Sequence, residues 1–299
     1  MNNYLGELFA VGTAILWSIT STFFTIGGKR VGSVVLNRIR LVIAVVFLSV
    51  THLIFYGSFF PIHAEPSQWF WLGLSGIVGL VLGDTFLFQA FVLVGTHLSM
   101  LLMSLVPIIS SLIAWFFLHE ELSIVKLCAI MLTIGGIILV VLSKKNSNVN
   151  KNRKHFIIGI LCGLAGAFGQ ALGLVIAKKG LGSDFSGLSA TIIRVSIAMC
   201  VIWLYTIVTR KAKYTIQKLS NKKATLAITA GAFAGPFLGI WFSMLAIKWT
   251  YIGIASTLMA LPPVILLPIS YWIFKEKITI QSIIGTLLAI SGSALIFLT

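Results

Sequence analysis

The chain is written almost entirely in apolar runs of bilayer length. A helix that crosses the hydrocarbon core needs ~20 apolar residues at 1.5 Å each. Ten such segments can be placed: Tyr4–Ile26, Val34–Tyr56, Gln68–Phe91, Thr96–Leu118, Ile124–Leu142, Phe156–Ala177, Gly187–Val208, Ala224–Ile247, Tyr251–Phe274 and Thr279–Leu298. The first has no charge from Leu8 to Gly28 and no basic stretch before it, so it reads as a retained helix and not as a cleaved leader. The longest linkers, Ser143–His155 and Thr209–Lys223, are polar and basic and too short for a further domain. Function must therefore be performed by the bundle.

Composition agrees. Hydrophobic residues make up 58% of the 299 and charged residues only 10%, against about 25% charged in soluble domains. The formal charge of +15 raises nucleic acid as a partner. The basic residues lie in short loops between apolar runs, not as a stripe on a soluble module, so nucleic-acid binding is rejected and lipid headgroups are the expected partner. Linkers 1–2, 3–4, 5–6, 7–8 and 9–10 hold most of the Lys and Arg, Lys29, Arg30, Lys144, Lys145, Arg210, Lys211 and Lys275 among them. The positive-inside rule makes that face cytoplasmic and leaves both termini outside a plasma membrane.

The second half repeats the first. WFFLHEELS (Trp115–Ser123) returns as YWIFKEKIT (Tyr271–Thr279), with Glu276 lying 156 positions after Glu120. At the same offset Met103 meets Met259, Pro107 meets Pro263, Gly136 meets Gly292, and Gly79 and Gly83 meet Gly235 and Gly239. Nearer the start the offset is slightly smaller, so that Arg40 meets Arg194 and Trp17 meets Gln170. Two repeats follow, residues 1–143 and 156–299, joined by a basic linker at 144–155. A unit of five helices ends on the face opposite its start, which sets the next unit upside down. The expected fold is an all-α integral membrane protein of ten transmembrane helices in a 5+5 inverted-topology repeat.

Few residues in the spans carry chemistry. Asp84, in GLVLGDTFLFQAF, is a carboxylate inside a span, where a charge is costly and functional by default. Its counterpart is Ile240, so duplication does not explain it. Two readings stand: a structural ion pair with Arg38 or Arg40, or a carboxylate that couples transport to protons or another cation. Arg40 and Arg194 are assigned structural roles, with snorkelling to the headgroups as one route and binding of an anionic substrate as the minor reading. Gln89 and Gln170 must face protein or a cavity, because lipid cannot satisfy an amide; with Trp17 and Trp241 they are the candidate substrate-cavity residues. Pro107, Pro262 and Pro263 are candidates for helix breaks beside a cavity. Glu120 and Glu276 mark the turns into the fifth and tenth helices, a structural role. GLVLG, GAFAG, GPFLG, GILCG and GQALG read as small-residue packing faces. Cys128, Cys162 and Cys200 read as small packing residues, and the histidines at 52, 63, 97, 119 and 155 as interfacial or solvated; no metal-ligand spacing occurs. No cofactor is expected.

These residues resemble the EamA-type branch of the drug/metabolite transporter superfamily. AILWSITSTFF around Trp17, Arg40 in IRLVIAVVF, and the block LLMSLVPIISSLIAWFFLHEELSIVKLCAIMLTIGGIILV carry the likeness, and the block returns as TLMALPPVILLPISYWIFKEKITIQSIIGTLLAISGSALIF. The resemblance implies helices one to four and six to nine around a central cavity, with five and ten at the periphery. It also implies export or exchange of a small metabolite, amino acid, sugar or drug by alternating access. The sequence departs from the pattern twice: Gln170 stands opposite Trp17, and the charge bias puts the termini outside where many superfamily members keep them inside.

No phosphate-binding loop is present, so direct ATP hydrolysis is not expected. A membrane-embedded enzyme would need clustered acids, nucleophiles or metal ligands, and the polar residues here are dispersed. The remaining alternative is a lipid carrier of scramblase type or a membrane scaffold. Substrate identity and oligomeric state are open at this level.

Overall fold

Helix is the only regular structure among the described residues, as a chain in lipid requires: every backbone donor must be satisfied within its own segment. The computed structural model describes residues 4–118, 124–147, 153–181, 185–249, 258–276 and 278–298. The helices are α1 (Leu5–Val31), α2 (Ser33–Tyr56), α3 (Pro66–Gly76), α4 (Asp84–Val94), α5 (Thr96–Leu102), α6 (Leu105–Leu118), α7 (Ile124–Ser147), α8 (Arg153–Leu181), α9 (Gly187–Val208), α10 (Ala212–Lys218), α11 (Lys222–Ala232), α12 (Ile240–Trp249), α13 (Pro262–Phe274) and α14 (Ile280–Leu298). Seven runs are long and apolar enough to cross a bilayer: Leu5–Val31, Ser33–Tyr56, Pro66–Val94, Ile124–Ser143, Arg153–Leu181, Gly187–Val208 and Lys222–Ser243. Three shorter apolar runs accompany them, Thr96–Ser110, Pro262–Phe274 and Ile280–Leu295. The outer surface is apolar, with Met131 and Leu226 each 72% exposed, which suits lipid and not water.

Two of the long runs are not uniform α-helix. Ile77–Gly83 joins α3 to α4 as a π-helix, and Phe233–Gly239 joins α11 to α12 in the same way. The two stretches coincide at the repeat offset of 156, residue for residue. The second contains Pro236, whose missing N–H leaves a ladder position open; the first forms with no proline. Each π segment sits against the first helix of the other half. A Cβ added to Gly173 of α8 would come within 2.9 Å of Gly79 Cα, and one on Gly235 within 2.6 Å of the Thr20 side chain of α1. Residues 173 and 20 are themselves repeat mates. Small residues permit these close crossings.

α7 and α14 form a seam that maps onto itself. Gly136 is packed against Gly285 and Ala289, and Gly292 against Ala129 and Thr133. Under the offset, 129, 133 and 136 correspond to 285, 289 and 292, so each contact has its reciprocal. Further along, Val140 meets Gly285, and the Ser143 hydroxyl bonds those of Thr279 and Ser282. Late positions of α7 meet early positions of α14, so the two equivalent helices run antiparallel.

Pro107, Pro262 and Pro263 lie at helix starts, whereas Pro236 and Pro268 lie inside helices. The chain breaks at Met103–Ser104, and Pro107 is the third residue of α6. Pro262 and Pro263 open α13 at its first two positions. A first-turn N–H has no intrahelical partner, so proline costs little there. Tight joins elsewhere use glycine: Gly32 (φ 90°) turns α1 into α2, and Gly95 (φ 85°) turns α4 into α5. The basic linker Thr209–Lys223 is partly helical. It contains α10, whose Thr215 is buried and accepts a hydrogen bond from Arg38 Nη1 at 2.8 Å. α7 and α8 likewise reach into 144–155, to Ser147 and from Arg153.

Candidate functional site

The wide turn of the first π segment builds a buried polar cluster in the bundle. In an α-helix the Asp84 N–H would pair with the Leu80 carbonyl; here it pairs with Gly79 O. The released Leu80 carbonyl accepts instead from Asn37 Nδ2 of α2, at 3.0 Å. The same amide nitrogen donates to Thr85 Oγ1 at 2.8 Å, and Asn37 Oδ1 accepts from Arg40 Nε at 2.9 Å. Asn37 is thus fully used and fully buried.

Asp84 is the first residue after the π segment. Its Oδ2 pairs with Arg40 Nη2, and its Oδ1 accepts from Gln170 Nε2 of α8. Gln170 also donates to Gly79 O at 3.3 Å. The Arg40 guanidinium lies 4.8 Å from the centre of the Phe88 ring, which adds a cation–π contact. Both charged partners are buried, Arg40 at 5% and Asp84 at 6% exposure. Arg40 therefore turns into the bundle, not out to the headgroups, because a carboxylate, an amide and an aromatic face wait for it there. Of the two arginines on α2, Arg40 takes Asp84, and Arg38 reaches α10.

Arg194 of α9 completes the cluster. Its backbone presses on Gly76, and its Nη2 lies 3.6 Å from where a Cβ on Gly79 would stand, with Gln170 Oε1 3.7 Å from that same point. It is within electrostatic reach of Asp84. Its Nε is buried with no hydrogen-bond partner among the described residues. Residues from α2, α4, α8 and α9 thus converge on one π turn, and Asp84 and Gln170, two polar positions the repeat does not explain, are bonded to each other.

The equivalent place in the second half differs. Ile240 replaces Asp84, and Trp17, packed against Gly239, replaces Gln170. A cavity of about 230 Å³ opens there, lined by Phe237, Ile240, Trp241 and Leu245 with the end of α2 and the start of α9. At the matching place in the first half, Ser33 Oγ donates to Gln89 Oε1 at 2.6 Å. The mates of Ser33 and Gln89, Gly187 and Leu245, both line the open cavity.

Trp241 therefore lies on the cavity, Gln89 in the pair with Ser33, and Trp17 beside the second π segment. Glu276 is half-buried against Gly95 at the start of α5, and Glu120 lies outside the described residues. Two readings need correction. His52 and His97 are buried, not interfacial: His52 bonds Ser58 O at 2.6 Å and Ser189 Oγ at 3.1 Å, and His97 bonds Thr286 Oγ1 at 3.1 Å. Each ties one half to the other, a role that position near a helix end conceals. Cys128 and Cys200 are exposed on the apolar exterior and fill no core gap. Asn37 was missed, although a lone amide in an apolar run was its signal. Among the described residues no group of three His, Cys, Asp or Glu side chains could hold a metal.

A model of the EamA-like transporter family matches residues 4–142 and again 157–298. The chain belongs to the EamA-like transporter family. The two matches fall on the two repeats, so each EamA-like unit contains one π segment and one helix of the glycine seam. A solved structure described as "Crystal structure of protein" has the same fold, with a TM-score of 0.63 and 17% identity, covering 97% of this chain and 95% of that one. No curated protein matches the sequence.

Proposed function

We propose that this EamA-like protein is a secondary transporter that exports or exchanges a small metabolite across the plasma membrane by alternating access. The carrying observation is the difference between equivalent places in the two halves: Ser33 bonds Gln89 at one, while Gly187 and Leu245 line an open cavity at the other. A carrier that exposes its site to one face at a time has this sidedness.

The accompanying topology is ten spans, from the seven long and three shorter apolar runs, in two inverted groups of five. The antiparallel reciprocal seam of α7 and α14 supports it, since equivalent helices of an inverted pair must run in opposite directions. With the lysine-rich loops in the cytoplasm and both termini outside, the cavity opens outward. A reporter fused to the C-terminus tests this orientation; a cytoplasmic signal alone reverses it.

In this reading Asp84 anchors the cluster through Arg40 and Gln170. Coupling to protons requires its carboxylate to part from Arg40 during the cycle. Asp84→Asn then removes flux driven by a pH gradient and spares downhill exchange; unchanged driven flux excludes the coupling role. The function itself is tested by counterflow in proteoliposomes loaded with a small-metabolite extract. Saturable, protein-dependent exchange of a soluble solute is expected. Lipid scrambling with no solute flux would replace this reading with a lipid carrier.

A further inference from the structure

The caps that open the third span of each half coincide. Glu65 precedes α3 and Asn221 precedes α11, 156 positions later, so the stretches before them, 57–65 and 213–221, are repeat mates. In an inverted pair they lie at opposite faces of the membrane. Both present apolar side chains outward: Phe59, Phe60 and Ile62 in the first, Tyr214, Ile216 and Leu219 in the second. Exposed apolar groups beside the ends of spans settle at the boundary between headgroups and acyl chains.

The charges of the two mates differ. The first stretch has no Lys or Arg and carries the carboxylate of Glu65. The second lies among six bases, Arg210, Lys211, Lys213, Lys218, Lys222 and Lys223, and no acidic residue occurs between Asp184 and Glu276. All but Lys218 are exposed, and none is ion-paired among the described residues. Acyl chains account for the apolar groups of both mates. A negatively charged headgroup layer accounts for the bases of one.

α10 sorts these groups by direction. Thr215 turns inward and is held by Arg38 Nη1 at 2.8 Å. Ile216 and Leu219, three residues apart, share one flank. Tyr214 and Lys218, four apart, share the other, with the Lys218 ammonium 5.2 Å from the centre of the Tyr214 ring. Lys213 and Gln217 are exposed on the outer side. α9 is exposed and apolar as far as Val208 and α11 again at Leu226, so α10 lies at the level where the apolar surface ends.

We propose that residues 209–223 form a binding site for anionic phospholipid, in which the bases take the headgroup phosphates and Ile216 and Leu219 sit among the acyl chains. The leaflet concerned is the cytoplasmic one in the orientation proposed above. The Arg38–Thr215 bond fixes which side of α10 faces the lipid and places the bound headgroups beside α2. The mate at 57–65 occupies the same level of the other leaflet without choosing by charge. The linker 144–155 is the natural comparison, since Val149 is its one large apolar residue: it offers charge with little to anchor it.

The test incubates the purified full chain in detergent with equal amounts of phosphatidylglycerol and phosphatidylcholine and counts retained lipids by native mass spectrometry. Phosphatidylglycerol should be retained in preference, less so as the salt of the incubation rises. Lys211→Gln, Lys213→Gln and Lys218→Gln should each lower the preference by up to about fivefold, and the triple variant should abolish it. Lys144→Gln/Lys145→Gln/Lys151→Gln/Lys154→Gln should leave most of it in place; an equal loss there means diffuse attraction and overturns the site. Inorganic phosphate should not displace the lipid, and displacement would reassign the bases to a small anion. In vesicles, with the native cysteines replaced, bimane on Ile216→Cys should be quenched by brominated acyl chains more strongly when phosphatidylglycerol is present. Bimane on Phe60→Cys should be quenched alike with and without it. Quenching at position 216 that ignores phosphatidylglycerol also overturns the proposal.

Discussion

The first-half π turn and its second-half mate share a backbone and differ in chemistry. Both widen at the same seven positions and both rest on the opening helix of the other half, but Arg40 and Arg194 both lie at the first. One is filled by Asp84, Arg40, Asn37 and Gln170, while the other presents Ile240, Trp241 and Phe237 to a cavity. Duplication has kept the devices that bend and join helices and has released the side chains from symmetry.

The comparison breaks most readily at the carboxylate. Asp84→Ala leaves Arg40 and Gln170 unmatched in the interior and is expected to cost about 3–5 kcal/mol. Ile240→Ala, on a cavity wall, should cost clearly less than the 2–5 kcal/mol typical of a fully buried site. Unfolding in detergent measures both; equal losses would mean that the polar cluster is no more structural than its apolar mate.

The seam gives a prediction of sameness instead. Gly136→Ala and Gly292→Ala each drive a methyl into backbone on the facing helix, at a cost of about 1–3 kcal/mol. Their effects should agree within about 0.5 kcal/mol, because each contact is the other's reciprocal. A large difference in unfolding midpoint breaks the two-fold correspondence.

Cross-linking sharpens the contrast between closed and open places. With the three native cysteines replaced, Ser33→Cys/Gln89→Cys should be bridged readily by a short thiol-to-thiol cross-linker, which stops counterflow. Gly187→Cys/Leu245→Cys should be bridged far more slowly by the same reagent. Equal rates of bridging would show that the two places do not differ in closure. The smallest effect is expected at Pro236. Since Ile77–Gly83 adopts the π form without proline, Pro236→Ala should change stability by less than about 1 kcal/mol and leave the second π segment in place.

Much of this architecture was legible in the sequence because repetition is robust to error. Apolar runs of bilayer length, and glycine, proline and glutamate recurring at one offset, needed no side-chain geometry to be read. The lack of a repeat partner for Asp84 and Gln170 singled them out, and they meet. The π segments left no such mark: GLVLG and GPFLG have the spacing of any small-residue packing face, and i→i+5 pairing has no residue signature of its own. Helix-opening prolines looked like kinks, because the break two or three residues earlier depends on how α5 and α13 pack. Asn37 and the buried histidines bond partners far away in sequence, as His97 does with Thr286, and only the assembled bundle brings such pairs together.

A π segment also stores one residue more than its helix needs. An α-helix turns about 100° per residue, so taking up that slack would rotate α4 about its own axis relative to α3 by roughly that angle, leaving both helices whole. Asp84 would swing away from Arg40 while the backbone stayed bonded throughout. The same slack waits at Phe233–Gly239. Two such segments, one in each half, give the bundle a pair of opposed screws, so that a turn wound into one half can be let out in the other without either long helix having to bend.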